Sequence, residues 1–185
     1  MAIKIYLSPA AHTNDPPCAV TGCSENTHVN LYLDALTPFL DAAGIVWRRN
    51  SADQRGYCGV THAVEESNDW GATLHYVVHT GNGIALPRGS RLITHPAGEG
   101  GEWAHTVAAR RQAVYPHAVH VAYCDELYEI VKTHAPCVYD ELVVHTDAAD
   151  ARWLHEHLHT LAKATAMAFC DIFSLRFRDP YAASA

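Results

Sequence analysis

No apolar run in this sequence approaches the roughly 20 residues that a membrane-crossing helix needs. None of its 185 residues belongs to a repeat, a low-complexity block or an evident linker. A membrane partner is therefore set aside. One domain is the working count, spanning residues 1–178 with a frayed tail at 179–185, since a chain of this length buries a core without disulfide or metal staples. The opening stretch, Met1 to Pro9, has one lysine and too little apolar sequence for a secretory signal, so the expectation is synthesis in the cytoplasm. Basic residues are scarce: 13 Lys and Arg against 20 Asp and Glu give a formal net charge of −7. That balance argues against nucleic acid as the main partner. Nucleotide and serine-hydrolase signatures are missing too. Gly81-Asn82-Gly83 lacks the third glycine of a dinucleotide loop, Leu86 standing in its place, and Pro87 blocks an immediate helix. No G-x-S-x-G elbow occurs.

What is abundant is histidine. The 14 imidazoles outnumber the Lys and Arg side chains, and protonating all of them would carry the formal charge from −7 to +7. The six cysteines (Cys18, Cys23, Cys58, Cys124, Cys137, Cys170) read as reduced thiols, because nothing in the sequence calls for a disulfide framework. Cys18 and Cys23, in a Pro-rich loop, are either a small disulfide, metal ligands, or two unpaired thiols.

Patterning gives an alternation of strands and helices. Ile3–Ser8 is a buried strand that stops at Pro9. Ser24 caps a helix whose apolar face runs from Val29 to Leu40, and Gly44 ends it. Further strands are expected at 45–48, 74–78, 117–122 and 138–144. Helices are expected at 60–70, 102–115, 126–133 and 150–173. This is an α/β pattern: a mainly parallel twisted sheet of about five to six strands with helices on both faces.

In such folds ligands collect beyond the carboxyl ends of the strands. That rule selects His12 after the first strand, His79 at the end of the third, and Glu141 on the 138–144 strand, with Glu25 at the start of the first long helix facing the same region. Two imidazoles and one carboxylate make a zinc site with an open corner, and a spare glutamate beside it supplies general-base chemistry. A second motif is more visible. His155-Glu156-His157-Leu158-His159 matches H-E-x-x-H. Helix geometry argues against it: Leu154, Leu158, Leu161, Thr165, Ala168 and Ile172 form the apolar stripe, which turns Glu156 and one of the two histidines towards solvent.

Five segments of the sequence, taken together, resemble a known family. Leu127 to Pro136 followed by Cys137-Val-Tyr-Asp-Glu-Leu and, further on, Asp150-Ala-Arg-Trp-Leu154 resemble the C-terminal signature of the type-3 zinc-dependent N-acetylmuramoyl-L-alanine amidases. Leu7-Ser-Pro9 resembles the end of that family's first strand. Asn30-Leu-Tyr-Leu-Asp-Ala-Leu36 with Ala43-Gly-Ile45 resembles its first helix, and Ser67-Asn-Asp-Trp-Gly-Ala-Thr-Leu-His-Tyr-Val-Val-His79 its ligand-bearing strand. The likeness covers about residues 3–174.

The resemblance implies one Zn2+ held by His12, Glu25 and His79, with Glu141 as the catalytic carboxylate. It implies peptidoglycan as partner and hydrolysis of the amide between N-acetylmuramic acid and L-alanine, as in a phage endolysin or a bacterial cell-wall enzyme acting on the wall after release. Two departures stand out. Ala10-Ala-His-Thr13 replaces a glycine-rich turn, so His12 is assigned by position. Glu25 precedes Asn30 by five residues rather than four, which makes His28 the reserve ligand. The rival readings are a zinc or cysteine peptidase acting on wall peptides, and a catalytically inactive wall-binding module.

Overall fold

The computed structural model describes residues 2–11, 15–50 and 56–182. The chain runs β1 (Lys4–Pro9), α1 (Glu25–Ala43), β2 (Val46–Arg49), α2 (Gly56–Trp70), β3 (Leu74–Gly81), β4 (Ser90–Thr94), α3 (Gly100–Gln112), β5 (Val119–Tyr123), α4 (Tyr128–Lys132), β6 (Cys137–Val144) and α5 (Ala148–Ile172). The six strands form one sheet in the order β2-β1-β3-β6-β4-β5. β2, β1, β3 and β6 are parallel, and β4 joins β6 antiparallel and carries β5 with it. The sequence expectation is met for class and for five strands. β4 is the strand that patterning misses, because Ser90-Arg-Leu-Ile-Thr94 is short and follows a loop rich in Gly and Pro.

Strand alternation divides the side chains between two layers. Leu74, Tyr76 and Val78 of β3 join Leu92, Val138 and Leu142 in the larger core, which also holds Val29, Leu33, Leu36 and Leu40 of α1 and Leu154, Leu161 and Phe169 of α5. Val77 and Ile93 face the other way, with Ile130 of α4 and Cys137. Helices α1, α3 and α5 therefore cover one face and α2 and α4 the other.

The ends of the elements follow local chemistry. Ser24 is extended and accepts the Thr27 N–H at the start of α1, while Gly44 takes φ +74° at its end and donates to Asp41 and Leu40. Asp147 caps α5 by accepting from Ala149 and Asp150 N–H. α5 is not continuous: His157 has φ −126° and ψ 16°, a kink in the middle of the helix. One ion pair lies sealed in the larger core. Arg111 of α3 makes a forked pair with Asp140 of β6, both essentially without solvent exposure, and Tyr76 also donates to Asp140.

Candidate functional site

β1, β3 and β6 run in the same direction, so their carboxyl ends share one edge of the sheet. β4 is antiparallel, which brings its amino end, Ser90 and Arg91, to that edge as well. The N-terminus of α1 reaches it from the long loop after β1.

Four side chains define the edge. His79 and Glu141 are register partners across β3 and β6, on the face that carries Tyr139. The His79 ring stacks on Tyr139 with centroids 4.5 Å apart. Glu25, buried in the first turn of α1, lies against His79: Oε1 is 3.2 Å from Nδ1. Thr80 secures the same oxygen by donating its N–H at 2.6 Å and its hydroxyl at 3.3 Å. Glu141 faces Arg91 across the antiparallel pair, and the guanidinium grips both carboxylate oxygens, Nε to Oε2 and Nη2 to Oε1, each at 2.8 Å.

The electrostatics follow from these contacts. Burial by itself would raise the Glu25 carboxyl, but the His79 hydrogen bond and charge, a hydrogen bond from Asp15 and the Thr80 N–H together hold it down at about 2. Burial would lower the His79 imidazole, yet its bond to Glu25 and the nearby carboxylates Glu25, Glu129 and Glu141 leave it raised. Arg91 is raised as well, chiefly by its hydrogen bonds to Glu141, with burial opposing.

One member of the site was invisible in the sequence. His145, just past β6, places Nδ1 2.7 Å from the Thr80 hydroxyl and Nε2 2.7 Å from the Pro16 carbonyl. Its own backbone bonds to Gly81 and Ala19, so it pins the loop after β1 to the end of β3. No spacing rule singles out one more histidine in a chain with fourteen.

Of the sequence candidates, Glu25, His79 and Glu141 come to one edge. His12 lies outside the described residues. Despite its shifted spacing Glu25 reaches His79, because Ser24 starts the helix immediately before it. His28, one turn further along α1, points elsewhere. It meets the ring of His155 edge-on at 4.5 Å, beside Cys18, and the donor atoms of these three residues all lie within 4.8 Å of one another. Cys18 and Cys23 are both free thiols.

The H-E-x-x-H stretch does not form a joint site. His155 meets His28 near the start of α1, whereas the exposed His159 packs against Phe39 near the other end of that helix and against Tyr181, Glu156 is exposed, and the kink at His157 lies between the two. Among the described residues no imidazole bonds Ser8 directly. Glu129 stands between Ser8 and His75, accepting from the serine hydroxyl at 2.5 Å and bonding the imidazole at 3.0 Å, and all three are buried.

The architecture is an α/β domain with a polar cluster at the carboxyl edge of its sheet. Its fold is shared with the catalytic domains of N-acetylmuramoyl-L-alanine amidases. The amidase AmiC2 of Nostoc punctiforme superposes with a TM-score of 0.80 at 16% identity, over 93% of this chain and 97% of that one. The amidase Ami1 of Mycobacterium abscessus gives 0.80 at 16% identity, over 94% and 100%. The catalytic domain of the CD27L endolysin targeting Clostridia Difficile gives 0.78 at 13% identity, over 91% and 97%. No protein-family model and no curated protein matches the sequence.

Proposed function

We propose that this chain hydrolyses the amide bond between N-acetylmuramic acid and the first L-alanine of the peptidoglycan stem peptide, using one zinc ion. The observation that carries the reading is the placement of Glu141 beside His79 and Glu25 at the open edge of an amidase-type fold.

The residues fit zinc. Two ligands at 2.0–2.2 Å from a tetrahedral ion stand roughly 3.3 Å apart, and Glu25 Oε1 lies 3.2 Å from His79 Nδ1. Glu25 is held as a carboxylate, and Thr80 fixes its orientation as outer partners of a metal ligand do. His12, Glu25 and His79 would hold the ion. Bound there, zinc supplies Lewis acidity, polarising the scissile carbonyl and making water more acidic.

The chain's own groups do the rest. Glu141 takes a proton from the attacking water and delivers it to the departing alanine nitrogen, so one carboxylate serves first as base and then as acid. Arg91 occupies one lone-pair direction on each Glu141 oxygen, and a carboxylate has about four acceptor positions, so the remaining ones face the edge. The guanidinium thereby fixes the carboxylate without consuming it. Tyr139 backs the His79 ring and holds its plane. The edge is open, as suits a substrate that is part of a cross-linked wall. The cavity of about 330 Å³ lined by Thr94, His95, Gly100, Ile130 and His134 lies at the far end of β4 and has no part in this chemistry.

Two rivals are weaker. A cysteine peptidase would need an accessible thiol beside a base. Cys18 lies 4.0 Å from His155 Nε2, but it is buried, and among the described residues no carboxylate bonds that imidazole. An inactive wall-binding module would not release new amino termini. The test is to incubate purified walls with the protein and quantify free L-alanine amines. Release that stops with chelator and returns with zinc supports the reading, and walls bound without release would overturn it.

A further inference from the structure

We propose that Cys18, His28 and His155 form a second metal site that holds zinc and fastens the loop between β1 and α1 to helices α1 and α5. It is separate from the Glu25–His79 edge and stands whether or not the amidase reading does.

Three remote segments build it. Cys18 comes from the loop, His28 from the second turn of α1, and His155 from α5, which packs along α1. Cys18 Sγ lies 4.0 Å from His155 Nε2, the two rings meet edge-on at 4.5 Å, and the three donor atoms fall within 4.8 Å of one another. Zinc bonds of about 2.3 Å to sulfur and 2.0–2.1 Å to nitrogen place such donors some 3.3–3.6 Å apart. Closing the remaining ångström takes small side-chain rotations, and His155 is only half-buried.

The donors are also short of partners. His28 is 2% exposed, yet among the described residues its Nδ1 has no hydrogen-bond partner, and its Nε2 has only the Thr21 hydroxyl at 3.3 Å. A buried imidazole with an unmet nitrogen is costly unless something occupies it. Cys18 is 4% exposed, and its sulfur accepts the Val20 N–H at 3.4 Å, a contact that favours thiolate. Burial pushes the Cys18 thiol up, but the Thr21 hydroxyl and the N–H groups of Thr21, Val20 and Gly22 more than offset this. One thiolate and two imidazoles suit zinc and not the hard, oxygen-seeking cations magnesium or calcium. The Thr21 hydroxyl beside His28 also lies 2.9 Å from Cys23 Sγ.

The site would act on the first one through the chain. The loop it anchors carries Asp15, which bonds Glu25, and Pro16, whose carbonyl holds His145. An ion at Cys18 would join three elements that are otherwise held there by ring packing, the long Cys18–His155 contact and the Thr21–His28 hydrogen bond.

The experiment uses the whole protein, reduced, stripped with chelator and titrated with cobalt(II) as a spectroscopic stand-in for zinc. Expected is a near-ultraviolet thiolate-to-cobalt charge-transfer band in the wild type and in Glu25→Gln, and its loss in both Cys18→Ser and His155→Ala. Zinc retained after gel filtration should fall from about two ions per chain to about one in either of the last two variants. Circular dichroism checks that each variant is folded, and His155→Ala, at the half-buried position, keeps the test open if Cys18→Ser is not. A wild type without the band, or a folded Cys18→Ser or His155→Ala protein that keeps it, overturns the proposal. A band that persists in a protein unable to release alanine amines sinks the amidase reading alone.

Discussion

His79 and Glu141 face each other in register across the parallel strands β3 and β6, and Glu25 reaches over the strand ends to touch the first of them. That pairing places a metal-type donor beside a catalytic-type acid without any loop having to position either. Sites built on strands are held more tightly than sites on loops. The consequences can be measured.

Replacing Glu141 with Gln keeps its shape but removes the proposed base. General acid–base catalysis contributes about 10²–10⁴ in rate, so alanine-amine release should fall by that factor while zinc content, read by atomic absorption, stays at the wild-type level. An unchanged rate would show that the proton is carried elsewhere.

Arg91 positions Glu141 through two parallel bonds that lysine cannot reproduce. Arg91→Ala should lower kcat about tenfold to a hundredfold, the scale of a misplaced catalytic group, with KM for wall fragments little changed. Arg91→Lys should recover little of the loss. Full recovery with lysine would mean that charge alone matters.

His159 belongs to an aromatic cluster with Phe39 and Tyr181, away from both metal-type clusters. His159→Ala should leave turnover and bound zinc unaltered, with at most a small drop in thermal stability. Loss of metal in this variant would revive the H-E-x-x-H reading.

The Arg111–Asp140 pair sits in the core with almost no exposure. Removing one partner of a buried pair leaves the other charge stranded, at a cost of about 3–5 kcal/mol. Arg111→Met should destabilise the protein by that amount in urea unfolding, and Arg111→Met combined with Asp140→Leu should recover part of it. Burial works against the guanidinium's charge, but Asp140, by charge and hydrogen bond, holds it well above the ordinary arginine value. The guanidinium therefore stays charged across the accessible pH range.

Asp147 caps α5 and is gripped by Arg88. Asp147→Ala should cost about 1 kcal/mol near neutral pH. The Arg88 hydrogen bond, then the Asp150 N–H, hold the Asp147 carboxyl below its ordinary 3.8. A carboxyl lowered by folding contributes stability that is complete above the unfolded value and fades as pH falls through the folded one. The gap in stability between wild type and variant should thus be constant at neutral pH and shrink below about pH 4. A gap that widened in acid would refute the assignment.

The fold was largely legible in the chain because its signals are local. The Ser24 cap, the Gly44 stop and the apolar face from Val29 to Leu40 each depend on neighbours within a few residues, and α1 begins and ends where they say. β4 was not legible, since five residues without a strong pattern become a strand only when β6 offers them an edge. The candidate site divides in the same way. His79 and Glu141 follow from the rule that chemistry gathers at carboxyl ends of parallel strands, and that rule needs only strand direction.

Arg91 over Glu141, His145 beneath Thr80, and Cys18 beside His28 and His155 required the folded molecule. The sequence by itself determined the α/β alternation, the helix ends and the residue types that collect at one edge of the sheet. Tertiary structure alone decided which of the described histidines meet a carboxylate, which meet a thiol and which merely pack. A histidine carries no local signal of its partner, and contacts across 50 to 140 residues are set by how strands and helices are laid side by side.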